Sequence, residues 1–245
     1  MTTFAPVTAG LVVVTAAAGG MAGSLVPRLA AHGWRLALTS RPGGERETTQ
    51  RYEELAADGA ELRTFGIDLA DPASVSAGFA KIKAEMGAPT ALVNLAGRFE
   101  GGPAADAGPD AAAVALERSL DSNLRSAVYS AAAVLPDMLA AGAGAIVAVG
   151  AAAAIDPAPK TVAYAVGKGA LAAYFRSLAA QVAGNGVSVG LLLPQGALDT
   201  PGNRAAMPKA DPDKWISAEA FCDAVEFLLS RPPRGFVHEL PLGVR

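Results

Sequence analysis

The segment Leu11-Val12-Val13-Val14-Thr15-Ala16-Ala17-Ala18-Gly19-Gly20-Met21-Ala22-Gly23 joins a run of apolar residues to a turn of small ones. A continuous apolar run is typical of a strand buried on both faces of a parallel sheet. In such a sheet the turn after the first strand leads into a helix amino terminus, where a dinucleotide pyrophosphate can bind. Alanine occupies two positions where glycine is usual, so the turn alone fits a structural tight turn about as well. Its place after the first strand favours the cofactor.

Apolar and amphipathic segments alternate along the rest of the chain. The predicted strands are residues 11–15, 35–39, 61–67, 90–94, 145–149, 187–193 and 236–240, and the predicted helices are residues 24–32, 45–58, 71–86, 111–141, 161–183 and 218–229. Pro27 suggests a late or kinked start for the first helix, and Pro136 a break in the helix 111–141. This order predicts one α/β domain, residues 1–245, with a Rossmann-type doubly wound parallel sheet and helices on both faces. A polar segment at about 197–216 is predicted to be a substrate loop.

Composition excludes several classes of protein. The 245 residues are 51% hydrophobic and 18% charged, which argues against disorder, and a net charge of −3 offers no basic surface for nucleic acid. The single cysteine, Cys222, and two scattered histidines, His32 and His238, predict no disulfide and no metal site. Residues 1–6 lack the features of a signal peptide, so a cytoplasmic protein without a membrane partner is expected.

Ser40-Arg41 follows the second predicted strand. An acidic residue there would accept hydrogen bonds from the ribose hydroxyls of NAD, whereas a hydroxyl followed by an arginine suits the 2′-phosphate of NADP. The alternative is a solvated arginine in a turn beside Pro42. We favour NADP(H) over NAD(H) as the cofactor, with Arg46 as a second cation.

Two further strand ends have residues that suit a cofactor. Asp68, followed by Leu69, ends the third strand and can accept a hydrogen bond from an adenine amino group or cap a turn. Asn94-Leu95-Ala96-Gly97 ends the fourth strand, where small residues leave room for a cofactor.

Tyr164 and Lys168 lie four residues apart, on one face of a predicted helix. A lysine ammonium near a phenol favours the phenolate, lowers the phenol pKa from about 10, and allows proton transfer near neutral pH. The same spacing is common on solvated helices. Its position after a nucleotide-binding pattern favours the chemical interpretation.

Together, these motifs resemble the short-chain dehydrogenase/reductase family along almost the whole chain. The resemblance rests on the glycine turn, Asp68, Asn94 to Gly97, Asn123, Tyr164 with Lys168, and Pro194-Gln195-Gly196 followed by Thr200.

The resemblance implies an NAD(P)H-dependent oxidoreductase with three catalytic residues. Tyr164 would donate a proton to the substrate, Lys168 would lower the tyrosine pKa and bind the nicotinamide ribose, and Asn123 would hold a water that connects Lys168 to solvent. The outer faces of the helices 111–141 and 161–183 would form a homodimer or homotetramer contact. The predicted cofactor contacts are Thr15, Gly19, Gly20, Met21, Ser40, Arg41, Asp68, Leu69, Asn94, Ala96, Gly97, Tyr164, Lys168, Pro194, Gly196 and Thr200.

Ala151 departs from the family pattern, because the catalytic serine is expected 13 residues before the tyrosine. Losing that donor is expected to slow ketone reduction by about 10²-fold or more. The quinonoid dihydropteridine reductases lack this serine, and residues 20–24 and 198–215 resemble that branch. Ser40-Arg41 does not match the acidic residue of its NADH-preferring members.

Three hypotheses therefore stay open. The first is a reductase of a quinonoid dihydropterin or a similar conjugated imine or carbonyl. The second is a carbonyl reductase of specialised metabolism in which Ser126 or Ser130 replaces the missing hydroxyl. The third is an NAD(P)-binding module without catalysis, against which the retention of Tyr164, Lys168 and Asn123 argues.

Overall fold

Parallel strands form a single sheet in the computed structural model, which describes residues 10–103, 106–159, 161–230 and 235–244. Residues 1–6, for which no signal peptide was predicted, lie outside these ranges. The strands are β1 (Leu11–Val14), β2 (Arg35–Ser40), β3 (Leu62–Gly66), β4 (Ala91–Asn94), β5 (Gly144–Val149), β6 (Val187–Pro194) and β7 (Glu239–Leu242). The helices are α1 (Gly20–Ala31), α2 (Glu45–Arg51), α3 (Glu53–Ala57), α4 (Pro72–Met86), α5 (Pro109–Leu120), α6 (Ser126–Ala141), α7 (Val162–Gln181), α8 (Pro201–Ala206) and α9 (Ala218–Leu229).

The strand order is β3-β2-β1-β4-β5-β6-β7, and every pair of neighbours is parallel. Val13 of β1 pairs with Ala37 on one side and with Leu92 on the other. The order reverses between β1 and β4, which opens a crevice at the carboxyl ends of these strands. The predicted Rossmann-type parallel sheet is confirmed.

Apolar cores cover both faces of the sheet. Val13 belongs to the core under α4, α6 and α7, whereas its neighbours Val12 and Val14 belong to the core under α1 and α9. Phe175 of α7 and Phe221 of α9 are among the largest fully buried side chains on the two faces. Both faces are covered, so the central strands β1, β4 and β5 are continuous apolar runs rather than alternating ones.

Helix α1 begins at Gly20, four residues before the predicted start, and Pro27 lies in its interior. The predicted start at residue 24, which placed Pro27 in the first turn, is therefore wrong. Proline removes one helical hydrogen bond, but burial of Leu25, Val26 and Leu29 against the sheet holds the helix together across it.

The predicted helix 111–141 is divided, but not at Pro136. A π-helical turn, Asp121–Arg125, separates α5 from α6, and α6 continues through Pro136. Pro136 and Ala132 are both exposed, so water can hydrate the carbonyl that the proline leaves without its helical partner. The predicted helix 45–58 is likewise two short helices that meet at Tyr52. Strand β7 begins three residues later than predicted and ends two residues later.

Candidate functional site

A cleft of about 860 Å³ lies at the carboxyl edge of the sheet. Its opposite wall includes Arg98, Arg118 and Ser122, which sequence reasoning missed because nothing in their local pattern marks them. The predicted cofactor residues that line it are Ser40, Arg41, Asp68, Leu69, Ala96 and Gly97.

Thr15 and Asn94 join the ends of β1 and β4 beneath this cleft. The Thr15 hydroxyl donates to Asn94 Oδ1 at 2.9 Å and accepts from the amides of Leu95 at 3.0 Å and Ala96 at 3.1 Å. Both side chains are fully buried. One hydroxyl therefore fixes the two strand ends at the point where the strand order reverses.

The turn after β1 has alanine at one position where the backbone favours glycine, and it has glycine at another position where a side chain would not fit. Ala16 has a φ of +53°, the left-handed region that favours glycine, and it lines the cleft. A Cβ on Gly20 would lie 2.9 Å from the Cβ of Thr200. Glycine at position 20 thus lets the loop after β6 approach the turn, which brings together two predicted cofactor residues.

The end of β2 directs Arg41 into the cleft. The Arg41 carbonyl accepts hydrogen bonds from Ser40 Oγ at 3.0 Å and from the Gly44 amide at 2.9 Å. The Ser40 hydroxyl is almost fully buried, whereas Arg41 is exposed and forms no ion pair with any carboxylate of the described residues. Arg41 therefore supplies an uncompensated positive charge at this end of the cleft.

The Asp68 side chain caps a turn, which is one of the two roles predicted for it. Its Oδ1 accepts from the Ala70 amide at 3.0 Å, and its own amide donates to Ser74 Oγ at 2.9 Å. The carboxylate remains exposed and faces the cleft, so capping leaves it able to accept a further hydrogen bond.

Lys168 is buried beneath the floor of the site, and its Nζ donates to the Val149 carbonyl at 2.9 Å. Burial lowers the pKa of Lys168 to about 8. A Cβ on Gly97 would lie 3.0 Å from Lys168 Nζ and 3.0 Å from Asn123 Oδ1. Gly97 is therefore the point at which the loop after β4, the segment after α5 and the helix α7 come together.

Asn123 lies in the π-helical turn between α5 and α6 and is fully buried. Its Oδ1 accepts from the Arg98 amide at 3.1 Å, and its Nδ2 donates to the Arg98 carbonyl at 3.0 Å. These paired hydrogen bonds attach the loop after β4 to the helix. Isolated π-helical turns occur frequently at functional sites.

Tyr164 differs from the expectation in one respect. Burial raises its pKa, and the Lys168 ammonium, bonded to Val149, does not offset that effect. The Phe99 ring packs edge-on against the Tyr164 ring, with centroids 5.1 Å apart at 73°, although Phe99 itself is 66% exposed. Sequence reasoning missed Phe99, whose signal is an aromatic residue two positions after Gly97.

Ser126 and Ser130 were predicted as possible replacements for the missing serine, and of the two only Ser126 lines the cleft. Both hydroxyls donate to carbonyls one turn earlier in their own helical segment, of Ser122 at 2.9 Å and of Ser126 at 2.7 Å. Ser130 is fully buried. Ala151 itself is an apolar residue that follows β5. It is succeeded by one 3₁₀ turn, Ala152–Ala154.

The loop after β6 is closed at its base. Leu198 pairs with Ile216 in a parallel bridge, and the Ile216 amide donates to the Ala197 carbonyl at 2.8 Å. Thr200 caps α8 by accepting from the Asn203 amide at 3.2 Å. Of the other residues predicted there, Pro194 ends β6 and is buried, and a Cβ on Gly196 would have open space around it.

No group of three metal-ligating side chains occurs among the described residues. Within the same ranges, none of the helices is both long and apolar enough to span a membrane. Cys222 is a buried residue of α9, and burial raises the pKa of its thiol to about 11.

Comparisons with known proteins identify the family of this chain. A family model described as short chain dehydrogenase matches residues 10–211. The chain is 31% identical over 225 residues to 2-(R)-hydroxypropyl-CoM dehydrogenase of Xanthobacter autotrophicus, covering 88% of this chain and 89% of that protein. It is 28% identical over 178 residues to a short chain dehydrogenase of Pseudocercospora fijiensis, covering 71% of this chain and 55% of that protein.

The fold also matches a solved structure. A gluconate 5-dehydrogenase from Burkholderia cenocepacia, in complex with NADP and tartrate, superposes with a TM-score of 0.84 at 22% identity. The match covers 96% of this chain and 94% of that one. At this identity the likeness establishes the shared architecture.

Proposed function

The chain belongs to the short-chain dehydrogenase/reductase family of oxidoreductases, and on that premise we propose that it is an NADP(H)-dependent reductase with Tyr164 as proton donor. One observation carries the proposal. Lys168 Nζ and Asn123 Oδ1 meet at Gly97, in the wall of a cleft that also contains the unpaired cation Arg41. A family member without catalysis would not need a buried lysine there.

The residues present fit a phosphorylated dinucleotide. The cleft has the volume of a ligand site, and small residues line it where strands β1 and β4 end. A side chain on Gly97 would fill the space against Lys168. Asn94 Nδ2 is buried and has no partner among the described residues, which leaves one polar group beneath the cleft for a ligand or a water. Arg41 supplies a charge that suits a 2′-phosphate, and NADP is the coenzyme in the gluconate 5-dehydrogenase complex.

NADPH, when bound, supplies the hydride. Tyr164 supplies the proton, and its raised pKa keeps the phenol protonated at neutral pH, as an acid requires. Lys168, with a pKa of about 8, exchanges protons in the same pH range and can restore the tyrosine proton. Asn123 fixes the loop after β4 beside the lysine.

The substrate that best fits this site is already electrophilic. Ala151 offers no hydroxyl to a substrate carbonyl oxygen, so Tyr164 is the principal donor. The exposed Phe99 ring beside Tyr164 offers an apolar wall to a planar conjugated group. A quinonoid dihydropterin or a similar conjugated imine or carbonyl has both properties.

The test measures NADPH oxidation and NADPH binding in Tyr164→Phe. Turnover with quinonoid dihydropterin is expected to fall by about 10²-fold or more, while NADPH binding is retained. Tyr174→Phe is the matched control, because Tyr174 lies on the same helix and packs on Phe175. Undiminished turnover in Tyr164→Phe would contradict the assigned role.

The second candidate is a reductase of unconjugated carbonyls, which the likeness to a hydroxypropyl-CoM dehydrogenase favours. Assays of a ketone panel beside quinonoid dihydropterin separate the two. Ala151→Ser is expected to raise kcat/KM for simple ketones by about 10²-fold and to leave the conjugated substrate nearly unchanged. Efficient ketone reduction by the unaltered chain would instead favour the second candidate.

The proposal extends to assembly and location. Val114 of α5 and Val162 and Val166 of α7 are exposed apolar side chains. Burial of these helix faces between copies would give the homodimer or homotetramer of the resemblance. Light scattering of the purified chain tests this, and a monomer would contradict it. We place the enzyme in the cytoplasm, where NADPH is available.

A further inference from the structure

Arg51, the last residue of α2, reaches the turn after β1. Its Nη1 donates to the carbonyl oxygens of Ala18 at 2.6 Å and Gly19 at 3.2 Å. The side chain forms no ion pair with a carboxylate of the described residues. Its charge is therefore directed to the backbone of the turn rather than neutralised by an acid.

Tyr52, the next residue, continues the same contact. Its buried hydroxyl donates to the Ala17 carbonyl at 2.8 Å. Two successive side chains thus hold three successive carbonyls of the turn, those of Ala17, Ala18 and Gly19. Because these carbonyls face α2, their negative ends are kept from the amino terminus of α1, where an anion would bind.

Gly23 makes room for this arrangement. A Cβ at position 23 would lie 2.2 Å from Arg51 Nη2 and 3.2 Å from its Cζ. Glycine in a helix costs about 1 kcal/mol relative to alanine, so its presence within α1 calls for a packing reason. The end of the exposed Arg51 side chain occupies the space that a methyl group at position 23 would need, so Gly23 lets the guanidinium lie there undisplaced.

We propose that Arg51 is a positioning residue for the coenzyme pyrophosphate. Gly23 leaves the space that the Arg51 guanidinium occupies. The inference rests on the proposed function and deepens it. The guanidinium fixes the carbonyls of the turn and offsets their negative ends. The amides of Gly20 and Met21, which α1 leaves without a side-chain cap, then stay directed at the phosphates. Through the turn, Arg51 would affect binding of the pyrophosphate that NADP and NAD share, whereas Arg41 would contact the 2′-phosphate of NADP alone.

The experiment is a double-mutant cycle read by calorimetric titration with NADP⁺ and NAD⁺. Arg51→Ala and Gly23→Ala are each expected to weaken both coenzymes by about tenfold, equally for the two. The double variant is expected to be weakened by about tenfold as well, since Gly23 matters only through Arg51. Arg51→Lys should recover part of the affinity, and Gln50→Ala, an exposed neighbour on α2, should bind as the unaltered chain does.

Urea unfolding gives a second readout that does not depend on coenzyme. Gly23→Ala is expected to raise the free energy of unfolding more in the Arg51→Ala background, where the new methyl group meets no guanidinium, than in the unaltered chain, where it displaces the Arg51 side chain. A protein that had merely lost its fold would not show this difference between the two backgrounds.

Three outcomes would overturn the inference alone. These are unchanged affinity in Arg51→Ala, a loss confined to NADP⁺, and a loss of about 100-fold in the double variant, which would mean independent effects. Failure of the unaltered chain to bind either coenzyme would overturn the proposed function, and the inference with it.

Discussion

Replacing Lys168 by methionine should stabilise the protein while it abolishes catalysis. Lys168 is buried, and burial lowers its pKa from the ordinary 10.5 to about 8. Each tenfold change in proton affinity is worth about 1.36 kcal/mol, so holding the ammonium in the folded chain below pH 8 costs about 3 kcal/mol. Methionine removes that cost but leaves the Val149 carbonyl without its hydrogen bond, a loss of about 1 kcal/mol. The expected gain at pH 7 is about 2 kcal/mol.

The pH dependence gives the sharper test. The folded pKa lies below the unfolded one, so the unfolded chain holds the extra proton between pH 8 and 10.5. The stability of the unaltered chain therefore rises with pH across this window, and the advantage of Lys168→Met shrinks. The full cost is present below pH 8. Urea unfolding of both proteins at several pH values measures the difference, which cancels the titration of every other group.

Lys81→Met is the matched control. Lys81 lies on the exposed side of α4, where its ammonium is 3.9 Å from Glu85, and its removal should change stability little at any pH. A destabilised Lys168→Met, or a stability difference between the two proteins that stays constant from pH 7 to pH 10.5, would refute the assignment of a buried, costly ammonium.

Two backbone predictions follow from the same structure. Ala16→Gly is expected to raise the free energy of unfolding by about 0.5 kcal/mol, since glycine relieves the left-handed φ of +53° but loses more conformational entropy. Ala18→Gly, without a positive φ, should lower it, and equal effects of the two would contradict the argument. Gly167→Ala places a Cβ 2.5 Å from Ser119 Oγ and should cost about 1 to 3 kcal/mol and reduce turnover, because Asn123 is displaced. Gly169→Ala, on the same helix with open space around its Cα, should instead raise the free energy of unfolding. A neutral Gly167→Ala would show that α5 and α7 do not pack this closely.

Much of the fold follows from local pattern. The apolar runs predicted the strands to within a few residues, because a strand buried on both faces leaves a continuous signal. The positions of Thr15, Ser40 and Asn94 at strand ends also followed, since parallel strands carry their carboxyl ends to one edge. Ala151 was visible from its distance to Tyr164 alone.

The boundaries that failed depend on tertiary packing. The start of α1 before Pro27 reflects burial of its apolar face, which offsets the lost hydrogen bond. The division of the helix 111–141 at Asn123 rather than at Pro136 reflects the hydrogen bonds of Asn123 to the loop after β4. Helix α9, which packs on α1, and Arg98, which binds Asn123, are distant in sequence from these segments, so hydrophobic periodicity does not reveal the contacts.

The sequence by itself determined the architecture and the order in which the site residues occur along the chain. Only the tertiary structure decided their environment: the burial that raises the pKa of Tyr164 and lowers that of Lys168, and the seat of Arg51 over Gly23. The reason is physical. The apolar and polar pattern of a strand or helix indicates which of its side chains face the core and which face solvent. That pattern can be read from one segment alone. A pKa or a guanidinium contact depends on groups that come together only when distant segments pack.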